Sequence, residues 1–379
     1  MLSIHHNIVA YILNNKMNNL VVVKICIVLS HILILVNITT AKKGLCDSAS
    51  CRYAGCSDPG GVECLELPKE CSAFFYDGVI CTENFEINPR NSEKDLENIR
   101  LLIDLKGDDD EFHDVYVFYK HEDLIEFGDA IFIDNGEAEA QGVKKFIGDY
   151  PLKGLILDGI EFPITNKECD DFHKNFTAYI KTIKTVNPGL EIGFYLSAIN
   201  LVDNILDMTS SEWFDFVKLN DVLDFYLIEF TTLNLCMDNI LHGGITPIDW
   251  PGDDYIVTLN NFAESFEQCT IDKEKVYFEF LISPIANNEL KDDYCPCEMS
   301  YDEYCGNRGK YESKWCVDTQ DALYEKGKFA KKYSKGFVGR DIDLVDRGDK
   351  CKCDNKYITF YMMLRGYNNE DPLTCDAFK

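Results

Sequence analysis

The sequence predicts an α/β fold, a (β/α)8 TIM barrel carrying cysteine-rich additions, from three observations. Short apolar runs alternate with amphipathic stretches along most of the chain; eight of these runs have the length and composition of buried strands; and the cysteines cluster largely outside them. A doubly wound open sheet is the alternative, and the count of eight runs favours the closed barrel.

The strand candidates, in order, are Ala73–Val79, Ile99–Leu105, Val115–Tyr119, Leu155–Glu161, Glu191–Ala198, Asp224–Phe230, Val276–Ile282 and Gly336–Leu344. Helical periods lie between several of them. In Lys167–Val186, residues Phe172, Phe176, Tyr179, Ile180 and Ile183 share one face; Tyr255–Cys269 and Thr319–Ser334 are patterned alike. The stretch from Ser283 to Ser334 is long for one crossover, and its first part, 283–318, reads as a cysteine-rich insertion between the last two strands.

The amino-terminal end has a different character. Residues 1–41 contain no acid, and an apolar run from Leu20 to Val36, broken by Lys24, Ser30 and His31, precedes Thr39-Thr40-Ala41. This is the pattern of a secretory signal peptide cut after Ala41, with Met17 as a second start. A retained signal anchor is the alternative; the run is short for a span, and Lys24 and His31 weaken it. No later segment approaches transmembrane length, so the expectation is a secreted, extracellular protein with no membrane insertion once the leader is removed. Residues 42–71 then form a Gly/Ser/Pro/Cys-rich segment, and 72–379 the barrel.

Of seventeen cysteines, Cys26 leaves with the leader. The remaining sixteen are Cys46, Cys51, Cys56, Cys64, Cys71, Cys81, Cys169, Cys236, Cys269, Cys295, Cys297, Cys305, Cys316, Cys351, Cys353 and Cys375. An even number in a secreted chain predicts that all are paired, with the Cys46–Cys81 group a largely self-contained stapled segment. The spacings are C-x-C and longer, with no histidine beside a pair, so no metal site and no cofactor are expected. Acids outnumber bases by 65 to 37, and a field of that sign repels phosphate backbones and anionic lipid, which excludes nucleic acid as a partner.

Chemistry in a barrel gathers at the carboxyl ends of its strands. The stretch "LKGLILDGIEFP" (152–163) places Glu161 at such an end. Counting back by strict alternation puts Glu161, Gly159 and Leu157 on one face and Asp158 and Ile160 on the other, which leaves Glu161 without a partner acid. A bulge at Gly159 would turn Asp158 inward instead.

This stretch resembles the signature strand of glycoside hydrolase family 18, the chitinase family, which reads DGxDxDxE followed by an aromatic and proline. Three further segments are similar to later strands of that family: "LNDVLDFYLIEF" (219–230), "KEKVYFEFLISP" (273–284) and "KGFVGRDIDLVDRGDKC" (335–351). The resemblance implies a chitinase-like barrel in which Glu161 is the remnant of the proton-donating acid. In the family, the substrate acetamido group attacks and an aspartate two residues before the Glu orients it. That place falls on Gly159, and the next acid upstream on Leu157. A Tyr-Asp pair of the sixth strand falls near Thr231-Thr232, and the tryptophan flooring the pocket falls at Arg340.

Other candidates follow from position. Glu229 ends its strand and is either a mouth carboxylate or a solvent-facing acid. Trp250 and Tyr255, in the next loop, have the ring surface to stack on a sugar. Asp341 and Asp343 match acids of the family's last strand and read as rim hydrogen-bonders. Asn175-Phe176-Thr177 is an N-glycosylation acceptor. The resulting expectation is a catalytically inactive chitinase-like protein that binds an N-acetylglucosamine-type glycan or an extracellular protein, as a secreted effector or growth-factor-like protein. The alternatives are an active divergent chitinase or endo-N-acetylglucosaminidase using Glu161 with Asp158 or Glu229, and a structural or storage scaffold.

Overall fold

The structure, a computed structural model, describes residues 68, 70–71, 73–90, 93–104, 114–122, 136–160, 166–202, 216–241, 243–252, 255–287, 299–346 and 348–379. These belong to one unit. Glu161, the side chain of Cys169, and Cys46, Cys51, Cys56, Cys64, Cys295 and Cys297 lie outside the described residues, as does the leader.

The described residues include ten β-strands and nine α-helices. They are β1 (Ala73–Cys81), β2 (Ile87–Pro89), α1 (Glu93–Asp104), β3 (Asp114–His121), α2 (Glu137–Asp149), β4 (Gly154–Leu157), α3 (Asn166–Val186) and β5 (Glu191–Ser197). There follow α4 (Phe216–Asn220), β6 (Phe225–Glu229), α5 (Leu259–Gln268), β7 (Val276–Leu281), β8 (Ile285–Ala286), α6 (Tyr301–Gly306) and α7 (Arg308–Tyr311). The last are β9 (Trp315–Cys316), α8 (Gln320–Tyr333), β10 (Gly336–Arg340) and α9 (Ile358–Asn368).

The main sheet runs in the order β10-β7-β6-β5-β4-β3-β1-β2. Its first seven members are parallel neighbours, while β2 folds back antiparallel on β1. Eight parallel strands were expected, so among the described residues one is replaced by this hairpin arm. The sheet curls on itself. Phe75 of β1 and Phe225 of β6 are far apart in strand order, yet their ring centroids lie 6.4 Å apart, and Tyr116 of β3 approaches Phe225 to 5.2 Å. Rings from strands that are not neighbours can meet only across the inside of a barrel.

The opposite face carries the helices. Phe194 of β5 packs on Phe176 of α3, and Phe278 of β7 lies among Phe262 and Phe266 of α5 and Phe329 of α8. Period-two alternation along each strand thus sends one set of side chains inward and the other under the helices. Helix starts are fixed locally: Thr258 and Asn261 form a reciprocal capping box on α5, and the Thr319 hydroxyl accepts from the Ala322 N–H at the start of α8.

Two strand expectations are corrected. Ile99–Leu105 is not a strand: its residues to 104 belong to α1, where Asp95, Asn98, Ile99 and Leu102 are the buried positions. The three- and four-residue spacing of that set is helical, and the short apolar run concealed it. The last strand stops at Arg340 rather than Leu344, because Asp341 has φ +61°, a left-handed conformation that breaks the ladder, and 342–344 form a 3₁₀ turn.

Disulfides join Cys236 to Cys316, Cys305 to Cys351 and Cys353 to Cys375. The first two tie the 283–318 insertion to the loop after β6 and to the carboxyl-terminal segment, and the third closes a loop within that segment. Full pairing of the sixteen does not hold: Cys71 is a buried thiol, and burial pushes its pKa above the ordinary thiol range. Its segment is therefore not stapled through Cys71.

The loop after β10 holds a pair of carboxyl groups. Asp346 accepts from the N–H groups of Lys350 and Cys351 at 2.7 and 3.0 Å, while Asp302 of α6 accepts from Gly348 at 2.9 Å. Burial first, and then the hydrogen bond it shares with Asp302, push the Asp346 carboxyl up to about 7. A carboxyl raised in this way holds a proton in the fold that the unfolded chain has already released above roughly pH 4. Its stabilisation is full below that pH and is lost as pH rises toward 7. Thermal unfolding between pH 4 and 8 should therefore show a decline across that window that Asp346→Asn flattens, since the amide mimics the protonated acid. Equal slopes for the two proteins would contradict this.

Candidate functional site at the barrel mouth

Strand register decides which side chains reach the mouth. Phe118 of β3 points inward, since its ring meets Tyr195 of β5 at 5.2 Å across the intervening β4. Phe118 is paired with Ile156 and Tyr119 with Leu157. Paired neighbours share a face, so Ile156 is inward and Leu157 outward, next to Phe194 and the helices. The alternation expected from the sequence is thereby reversed.

Asp158 continues the inward set. Its N–H donates to the Tyr119 carbonyl at 3.0 Å, and its carboxylate lies 3.8 Å from the Lys120 ammonium. Gly159, at φ +83°, then turns the chain into the left-handed region that glycine adopts without penalty. Counting back from Glu161 through an unbroken strand fails for this reason. Asp158 itself faces inward by regular alternation from Ile156.

Deeper in the mouth is a charged and hydroxylated network. The Tyr195 hydroxyl donates to Glu279 of β7 at 3.0 Å, and Ser197 bonds Thr232 at 2.6 Å. Glu229 is 3% exposed, which removes the solvent-facing reading. Its carboxylate accepts from the backbone N–H groups of Thr231 and Thr232, at 2.7 and 3.2 Å, and from both threonine hydroxyls. Arg340 reaches across to the Thr231 hydroxyl at 2.5 Å and lies 3.7 Å from Asp341.

Burial alone would lower the pKa of Arg340, but Asp341, Tyr195, Glu279 and Glu229 outweigh it and raise the value, so the guanidinium stays charged. Tyr195 is pushed well above the usual phenol range by burial, then by Glu279 and Glu229, and remains a neutral donor. Three carboxylates thus surround one fixed cation, and both oxygens of Glu229 are engaged by Thr231 and Thr232.

The other candidates separate. Asp341 and Asp343 are buried rather than on an exposed rim; Asp341 accepts from Ser283 at 3.4 Å. Trp250 packs partly buried on the cluster around Cys236 and Cys316, so it is a packed loop aromatic. Tyr255, in the same loop, is 78% exposed and presents its ring to solvent. Asn175 is half-buried on α3 between the buried Phe172 and Phe176, and the Thr177 hydroxyl of the same acceptor sequence is enclosed. Sequence reasoning missed Tyr195, Glu279 and Lys120; the inward parity of β3, β5 and β7 was the signal that could have found them.

No protein-family model matches the sequence, and no curated protein does. Solved structures do match in fold. The Group IV chitinase of Ostrinia furnacalis in complex with allosamidin superposes with a TM-score of 0.65 at 12% identity, covering 87% of this chain and all (100%) of that one. Human YKL-39, a pseudo-chitinase with retained chitooligosaccharide binding properties, gives 0.57 at 15% identity, over 86% of this chain and 100% of its own. The second catalytic domain of the Ostrinia furnacalis Group II chitinase gives 0.58 at 16%, over 83% and 94%. The chain therefore has the (β/α)8 fold of the glycoside hydrolase 18 chitinases and chitinase-like proteins, with disulfides added.

Proposed function

We propose that this is a secreted chitinase-fold protein that binds N-acetylglucosamine-type oligosaccharides without hydrolysing them. The observation that carries the reading is the Arg340–Thr231–Glu229 network. It occupies the places where the chitinase family, by resemblance, has its stacking tryptophan and its Tyr-Asp pair. A guanidinium already engaged by Thr231 and Asp341 offers no apolar platform to a sugar ring, and a saturated Glu229 offers no vacant proton acceptor. On β4, the position one layer below Asp158 is Ile156, so the described strand brings a single acid inward. Binding needs less: the Tyr195 hydroxyl, Asp158 and Lys120 supply polar partners, and the fold is shared with a pseudo-chitinase that keeps chitooligosaccharide binding. The leader-like first 41 residues and the disulfides support secretion.

Titration calorimetry with chitotetraose to chitohexaose, with cello-oligosaccharides of equal length as controls, tests the reading. Saturable binding of the N-acetylated series alone is expected. Absence of binding to both series would leave the protein-partner or scaffold readings in its place.

A specific observation favours a second reading, residual hydrolysis: Asp158 faces inward, where an acid able to orient an acetamido group would stand. If chitohexaose is cleaved at all, Asp158→Asn should then reduce the rate by about 10²-fold or more. An unchanged rate would remove Asp158 from the chemistry.

A further inference from the structure

A second cluster lies behind the barrel wall, on the helix-facing side of the sheet. Cys81 closes β1 and His121 closes β3, and the two are register partners, so they share the face on which Tyr119 points toward α2. Glu139 projects from the first turn of α2 to meet them, its Oε1 2.9 Å from His121 Nε2. One donor atom from each of Cys81, His121 and Glu139 lies within 4.8 Å of the other two, and all three residues are buried. We infer that Cys81, His121 and Glu139 form a binding site for a divalent transition-metal ion, zinc by the chemistry of the donors.

The donor set is one thiol sulfur, one imidazole nitrogen and one carboxylate oxygen, each a type that zinc accepts, and three protein ligands leave a position for water. The Cys81 Sγ now donates to the Thr82 carbonyl at 3.7 Å, and binding would release that proton. Charge is the stronger consideration. Glu139 is 0% exposed, and its Oε2 is enclosed with no hydrogen-bond partner among the described residues. A wholly buried carboxylate oxygen is costly unless a cation or donor meets it. A divalent ion held by one thiolate, one carboxylate and a neutral imidazole is a neutral assembly, which removes most of that cost.

The surroundings hold the carboxylate as an outer shell would. The hydroxyls of Tyr119 and Tyr179 both donate to Glu139 Oε1 at 2.6 Å. They fix the orientation of the carboxylate, whose Oε1 also faces His121 Nε2. Such an ion would tie two barrel strands to α2. Cysteine spacing gave no hint of it, because the three residues meet only through the strand register and the return of α2.

The full chain, purified with its disulfides intact and stripped with chelator, is titrated with Co(II) and then with Zn(II). One Co(II) per chain with a thiolate-to-metal charge-transfer band in the near ultraviolet, displaced by Zn(II), is expected. The band should vanish in Cys81→Ser and persist in Cys71→Ser. Because Cys81→Ser removes a buried group and could impair folding, Glu139→Gln is the second probe. It keeps shape and should weaken Co(II) by more than about tenfold, the scale on which even outer-shell partners act. No band in the parent protein, a band that survives Cys81→Ser, or unchanged affinity in Glu139→Gln each overturns the assignment.

Discussion

Replacing Arg340 by leucine is expected to destabilise the protein by about 3–5 kcal/mol, the cost of removing one partner from a buried ionic cluster. Leucine restores some of the buried apolar volume but none of the charge. Glu229, Glu279 and Asp341 would then share the barrel interior with no cation among the described residues that contact Glu229 and Asp341. The Thr231 hydroxyl would also lose the donor that reaches it across the mouth. Urea unfolding of the parent, Arg340→Leu and Thr231→Val separates these effects. Thr231→Val removes hydrogen bonds without stranding charge and should cost about 1–3 kcal/mol. A loss below about 1 kcal/mol for Arg340→Leu would show that the acids do not depend on the guanidinium, and the closed charge network would have to be abandoned.

The second large effect belongs to the Cys236–Cys316 bridge. It closes a separation of 80 residues, joining the loop after β6 to the cysteine-rich insertion. Chain-entropy arguments give about 4–5 kcal/mol for a loop of that length, and removing native bridges typically costs ~2–5 kcal/mol. The sulfurs also sit in a small apolar cluster with Ile240, Ile245, Ile256 and Leu281, against which Trp250 packs. Alanine at both positions should therefore lower stability by about 2–5 kcal/mol and increase solvent quenching of Trp250 fluorescence. A double variant within about 1 kcal/mol of the parent would mean that the insertion is held by its other contacts.

Much of the barrel was legible in the sequence, because buried parallel strands announce themselves as short Val/Ile/Leu/Phe runs between amphipathic helices. Where the reading failed, the cause was local. Ile99 and Leu102 formed a run too short to show its helical period, and Asp341 broke the last strand through a backbone conformation that no composition signals. The site was legible in part. Glu229 and the substitution at Arg340 were visible as positions, but their partnership was not, since it depends on two strands closing across the mouth. Strict alternation back from Glu161 turns Asp158 outward and a break at Gly159 turns it inward; the left-handed conformation at Gly159 is a break that sequence alone leaves open. The cluster of Cys81, His121 and Glu139 left no linear trace at all.

Binding without turnover is tested most directly by incubating the protein with chitohexaose and following shorter oligomers by mass spectrometry, beside the Glu161→Gln variant. With Arg340 in place of a sugar platform and Ile156 one layer beneath the single inward acid of β4, no shorter oligomer above the buffer control is expected from either protein. Shorter oligomers that appear with the parent and disappear with Glu161→Gln would contradict it.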